Sequence, residues 1–170
     1  MAIDPAGDLL LALTGTGKLL VFDLGPDSLL TEVPVGPDPR DVVVDPVGER
    51  AYVTDETGGV TVVSLQGFFN VQTIATGGTL RGVAITPAGS FVHAANRQLN
   101  LLDVVDLREG SPTFRNVALT IPQPVNPVDV DLTPDGFYAL SISEADRQLV
   151  VTAVGLGPSI RTLSRVAGPV

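Results

Sequence analysis

Pro39-Arg40-Asp41-Val42-Val43-Val44-Asp45-Pro46-Val47-Gly48, followed at once by Glu49-Arg50-Ala51-Tyr52-Val53-Thr54-Asp55, is the stretch that decides the fold. A β-branched run leads into a turn, and a second apolar run leads out of it. Pro46 presets φ for the second position of a type I turn. Asp45 before it accepts a local hydrogen bond, and Gly48 takes a left-handed conformation. The segment predicts an antiparallel hairpin with strands near 40–45 and 50–55.

The turn recurs along the chain as Ile3-Asp4-Pro5-Ala6-Gly7, Ile85-Thr86-Pro87-Ala88-Gly89 and Leu132-Thr133-Pro134-Asp135-Gly136. The four prolines stand at 5, 46, 87 and 134, so the steps are 41, 41 and 47 residues. The third unit carries six extra residues, expected within Leu107–Pro127, where Arg108-Glu109-Gly110-Ser111-Pro112 reads as a loop. Inner strands are expected near 1–4, 40–45, 81–86 and 128–133, with hairpin partners near 9–14, 50–55, 91–96 and 137–142. Two more strands complete each unit. In the second unit they are Gly59–Leu65 and Phe69–Ile74, the latter alternating apolar and polar as a half-exposed outer strand does. Four short strands in a period of about 41 residues predict a propeller blade. No stretch shows sustained helical periodicity. The fold class is all-β: a β-propeller segment of four tandem four-stranded antiparallel blades, at about 1–36, 37–77, 78–123 and 124–170 of one segment, 1–170.

Each hairpin ends in a tetrad nine residues past its proline: Leu11-Ala12-Leu13-Thr14, Tyr52-Val53-Thr54-Asp55, His93-Ala94-Ala95-Asn96 and Leu140-Ser141-Ile142-Ser143. With the Pro39–Gly48 lead, the pattern resembles the YVTN β-propeller repeat family, which is similar to the lactonase-like seven-bladed propellers. The second unit matches best. The resemblance covers nearly the whole chain and implies a ring of seven or eight blades. It also implies an extracytoplasmic or cell-surface setting, although Met1-Ala2-Ile3-Asp4-Pro5 lacks the basic and apolar regions of a signal peptide; the compartment stays open.

Met1 aligns with Val42, so the first unit lacks the counterparts of Pro37–Asp41, and Val166–Val170 aligns with the lead-in Val35-Gly36-Pro37. The sequence reads as a window on a longer array, a partial propeller or half of a larger ring, with a closed four-bladed ring ranked lower. Pro169-Val170 extends at most toward the missing lead-in. The terminal blades are expected to expose Ile3, Leu11, Leu13, Leu140, Ile142 and Val150. At about 25 cal/mol per Å², a bare face on the order of a thousand Å² drives association. The expected partners are the remaining blades of a parent chain or a second copy in a homodimer. Light scattering on the isolated chain should report dimers or aggregates; a stable monomer at high micromolar concentration would contradict this reading.

Composition narrows the functions. Hydrophobic residues make up 44% of the 170, enough for a sizeable core, while aromatics at 5% leave the filling to aliphatic side chains. Without cysteine, thiolate nucleophiles and Cys-ligated metals are excluded. Nine Arg and one Lys against nineteen acidic residues give a net charge of −9. That balance argues against nucleic acid and anionic membrane surfaces, and no apolar run is long enough for membrane insertion.

Arg40 and Arg81 hold matching positions at the start of inner strands, with Val128 in the fourth unit. The next position holds Asp41, Gly82 and Asp129. In a propeller these positions lie near the mouth of the central channel. Two Arg can clamp a carboxylate or phosphate, and the bland alternative pairs each with a carboxylate such as Asp41. Two carboxylates fall short of the oxygen set a calcium ion needs. His93, the only histidine, sits mid-strand and is expected to pack between blades. Lactonase-like propellers with a channel Arg also use acidic and His partners, and no His is placed there. Arg40, Asp41, Arg81 and Asp129 are thus candidate ligand-binding residues, with no catalytic pair, metal or cofactor expected. The expected function is a non-catalytic binding or scaffold module for a protein or surface ligand, with specificity placed in the Leu107–Pro127 insert. The alternative is a fragment of a lactonase-like hydrolase with its site at the channel mouth.

Overall fold

The computed structural model describes residues 1–154 and 161–167, the latter as backbone. Among these residues the chain forms four antiparallel sheets of four strands each, and no helix. The first sheet comprises β1 (Ala2–Ile3), β2 (Leu9–Leu13), β3 (Lys18–Asp23) and β4 (Ser28–Pro34). The second comprises β5 (Pro39–Val44), β6 (Arg50–Asp55), β7 (Gly59–Ser64) and β8 (Phe69–Ala75). The third comprises β9 (Leu80–Ile85), β10 (Phe91–Asn96), β11 (Leu101–Asp106) and β12 (Val117–Pro122). The fourth comprises β13 (Pro127–Leu132), β14 (Tyr138–Ser143), β15 (Gln148–Ala153) and β16 (Arg161–Ala167). Every sheet is an up-and-down meander in chain order, and the inner strands and their partners fall within a residue or two of the expected positions. Gly168, Pro169 and Val170, assigned to the lead-in of a further unit, lie outside the described residues.

The turns form as their residues dictate. Gly7, Gly48, Gly89 and Gly136 have φ between 66° and 79°, a region open to glycine at no steric cost. The residue before each proline caps its turn: Asp4 Oδ1 accepts from the Asp8 and Leu9 N–H groups, and Asp45 Oδ1 from Glu49 N–H. Thr86 Oγ1 accepts from Phe91 N–H, and Thr133 Oγ1 from Tyr138 N–H. These turns also stack from blade to blade. A Cβ built on Gly48, Gly89 or Gly136 would lie 3.5, 3.3 or 3.3 Å from Cδ of Pro5, Pro46 or Pro87, the proline one blade earlier.

Three apolar layers fill the spaces between the four sheets. Leu11, Leu19, Val42 and Val53 belong to the first, Tyr52, Val62, Val83 and Val92 to the second, and Ala84, Leu102, Val104, Val130 and Ala139 to the third. Two residues expected on bare terminal faces are instead interior: Leu11 is 0% exposed and Val150 is 1% exposed. Side chains alternate faces along a strand, and both residues point toward the neighbouring blade. Leu13 and Leu140 are half-buried, with Leu13 packed against the first layer. Ile3 and Ile142, at 58% and 48% exposure, do lie open. Their cross-strand partners Leu10 and Leu149 share the outer faces and are only partly covered.

The six extra residues of the third unit lie in one place. Residues 107–116 connect β11 to β12, whereas residues 24–27 and 65–68 make the same connection in the first two blades. Asp106, 0% exposed, organises this longer loop. Its carboxylate accepts from Arg108 Nη2 at 2.8 Å, Arg108 Nε at 3.0 Å, Ser111 Oγ at 2.5 Å and Thr113 Oγ1 at 2.7 Å. The Arg108 guanidinium stacks over the Phe91 ring at 4.6 Å. The Arg108 hydrogen bonds, against the cost of burial and with help from both hydroxyls, hold the Asp106 carboxyl well below the usual carboxylate range.

Candidate site at the inner-strand mouth

The inner strands β5, β9 and β13 pack side by side, so residues at matching repeat positions converge at one end of them. Arg40, Asp41, Arg81, Gly82, Val128 and Asp129 line a single open cavity of about 260 Å³. All four candidate residues are therefore brought together. A register shift explains how the arginine side chain is presented. Pro39 pairs with Asp55 and Asp41 with Thr54, leaving Arg40 as an extra residue; Val128 is skipped in the same way between Pro127 and Asp129. Such bulges re-aim a side chain out of the ladder.

The charges at the mouth are arranged differently from the expected Arg40–Asp41 pair. Arg40 Nη2 lies 2.8 Å from Asp38 Oδ2 and 2.9 Å from Glu56 Oε2. Arg81 Nη2 lies 2.5 Å from Glu56 Oε1, a charge contact rather than an aligned hydrogen bond, and Arg81 Nε is buried with no partner among the described residues. Glu56 thus bridges the two guanidinium groups and joins blade two to blade three. Burial works against its charge, but the Arg40 hydrogen bond and the Arg81 charge carry its carboxyl below the ordinary value. Sequence reading missed Glu56, although an available signal pointed to it. In an antiparallel hairpin the residue just after the second strand sits beside the start of the first, and the Pro39–Asp55 pairing sets Glu56 opposite Asp38, two residues before Arg40.

Asp41 turns away from arginine and ties neighbouring strands. Its Oδ1 accepts from Val42 N–H at 2.9 Å, and its Oδ2 from Val83 N–H on the next blade at 3.1 Å. Burial pushes the Asp41 carboxyl up, partly offset by those N–H groups, with nearby Asp129 adding to the rise. Asp129 Oδ1 accepts from Val130 N–H at 2.9 Å. Gly82 stands between the two aspartates in the repeat because the fourth blade approaches it closely. A Cβ there would lie 2.3 Å from Asp129 Oδ1 and 2.7 Å from Asp129 Cα. Thr54 Oγ1 adds a hydrogen bond to the Arg81 carbonyl. His93 lies away from the mouth, buried on β10 where it faces the fourth blade.

The last residue of the tetrad locks the connection into its own blade. Asp55 Oδ2 accepts from Asp38 N–H at 2.8 Å, Asn96 Nδ2 donates to the Gly77 carbonyl at 2.8 Å, and Ser143 Oγ donates to the Val125 carbonyl at 2.5 Å.

A family described as "Lactonase, 7-bladed beta-propeller" matches residues 1–165. The chain belongs to this lactonase propeller family. Solved structures agree on the fold. The hydrazine synthase of Kuenenia stuttgartiensis superposes with a TM-score of 0.80 at 20% identity, over 98% of this chain and 49% of that one. A functionally unknown protein from Desulfotomaculum acetoxidans superposes with a TM-score of 0.83 at 14% identity, over 98% of this chain and 55% of that one. As a member of the lactonase propeller family, the chain spans about half the length of these solved chains. No match was found among curated proteins.

Proposed function

We propose that this lactonase-family segment is a non-catalytic binding and scaffold module that presents its loops to a protein or surface ligand. The observation carrying the reading is the engagement of the charged groups at the mouth. Both Glu56 oxygens face guanidinium groups, and both Asp41 oxygens accept main-chain N–H groups. A general base needs a lone pair aimed at the substrate, and these carboxylates face arginine side chains and main-chain N–H groups instead. The ordered 107–116 loop, held by Asp106, supplies a rigid surface on which specificity would reside. The open faces around Ile3 and Ile142 would meet the remaining blades of a longer chain or a second copy.

The competing reading is a fragment of a lactone hydrolase with its site at the mouth. The unpartnered Arg81 Nε beside Asp41 and Asp129 favours it, since a cation there would stabilise an oxyanion. Purified chain should be assayed on γ-butyrolactone and δ-gluconolactone, with and without Mg²⁺ or Ca²⁺. The binding reading expects the rate of buffer alone. Turnover that disappears in Arg40→Ala or Asp41→Ala protein would replace it with the hydrolase.

A further inference from the structure

Between the third and fourth blades lies a second cavity, of about 450 Å³, within the size range of small-molecule sites. Phe91, Val104, Ile121, Phe137 and Val154 supply apolar wall, and His93 contributes an imidazole. The repeat shows why space is left there. Tyr52 holds the matching position one blade earlier and packs into the apolar layer between blades two and three. His93 is a smaller side chain in the same place, and among the described residues an open cavity remains beside it.

His93 is 3% exposed, and its Nδ1 has no hydrogen-bond partner among the described residues. Burial lowers its pKa to about 4, so the ring is neutral at physiological pH. A neutral imidazole carries one donor and one acceptor. A buried polar atom left unpaired is costly, and a ligand offering a hydroxyl would relieve that cost. Asp135 also borders the cavity, and a negative charge at its edge disfavours an anionic guest. Arg108 covers one face of the Phe91 ring; the remainder of that ring and Phe137 suit a flat apolar body.

We propose that the cavity between blades three and four binds a small uncharged ring compound bearing a hydroxyl, a phenol in its simplest form, with the ring against Phe91 and Phe137 and the hydroxyl hydrogen-bonded to His93. This site is separate from the inner-strand mouth and stands whether or not the mouth is catalytic.

The test compares p-cresol with toluene, which differ only by the hydroxyl. Because His93 is the only histidine, its imidazole NMR signals report the site alone. In the unaltered protein p-cresol should shift those signals and bind about tenfold tighter than toluene, the worth of one net hydrogen bond. His93→Leu keeps an apolar cavity and should bring the two affinities together. His93→Tyr, which copies Tyr52, should fill the space and abolish both. Failure of p-cresol to bind the unaltered protein overturns the proposal, as does an advantage over toluene that survives in His93→Leu. Circular dichroism checks the folding of each variant, and the ligand comparison in the unaltered protein decides the matter if a variant fails to fold.

Discussion

Gly82→Ala should destabilise the chain by about 3 kcal/mol, near the upper end of what one added methyl costs in a close-packed core. The added Cβ would stand 2.3 Å from Asp129 Oδ1, 2.7 Å from Asp129 Cα and 3.1 Å from Val130 N. Two of those atoms are backbone, so no side-chain rotation relieves the contact. The inner strands β9 and β13 would have to separate, opening the layer that contains Ala84 and Val130. Gly15→Ala is the matched control, because nothing lies within 4 Å of a Cβ there. Its effect should stay within about 0.5 kcal/mol. Urea denaturation of both variants decides the point. Equal midpoints would mean that the close approach of blades three and four does not exist in solution.

Asp106→Asn should cost about 2–3 kcal/mol at neutral pH, because it weakens a buried charge-assisted network. The same substitution should change how stability depends on acid. The folded-state pKa of Asp106 is depressed, so the unfolded chain takes up the proton first as pH falls. The stabilisation is fully present above the unfolded value of about 4 and drains away below it. The gap between the unaltered protein and Asp106→Asn should therefore narrow steadily below about pH 4. A gap that stays constant from neutral pH into acid would show that the carboxylate contributes through packing and not through its charge. Proteolytic nicking within 107–116 should also rise in the variant, since the loop loses the anchor it shares with Ser111 and Thr113.

What could be read from residues alone was whatever local chemistry controls. A proline two residues before a glycine, with an Asp or Thr ahead, specifies its turn wherever it occurs, so hairpins and strand limits followed closely. The length of the insert was legible for the same reason, because the turns act as fixed markers on either side of it. Which face of a terminal strand a neighbour covers is decided by the stacking of sheets. Leu11 and Val150 were therefore assigned to the wrong side, though Ile3 and Ile142 were not. At the mouth, matching repeat positions place Arg40, Asp41, Arg81 and Asp129 around one cavity. Their partners were not legible, because Asp41 bonds the main chain of Val83 forty-two residues away. Glu56 was not legible from the matching inner-strand positions, because it reaches the mouth from the turn that follows the hairpin's second strand. The void beside His93 leaves no mark in sequence beyond a Tyr-to-His change at one repeat position.

The Pro–Gly contacts that run from one hairpin turn to the next bear on how such a chain can grow. Pro5, Pro46 and Pro87 each receive the turn glycine of the following unit, Gly48, Gly89 and Gly136. At the opposite end of the inner strands, Thr54, Asp41 and Glu56 tie the second blade to the third. A unit equipped with both halves of its joint docks onto a copy of itself without a new interface. Tandem duplication then lengthens the array at the hub, while the rim, where β11 meets β12, is free to accept inserted sequence such as the six residues of the third unit. New specificity can be written at the rim of one blade without altering the angular pitch that decides how many blades close a ring.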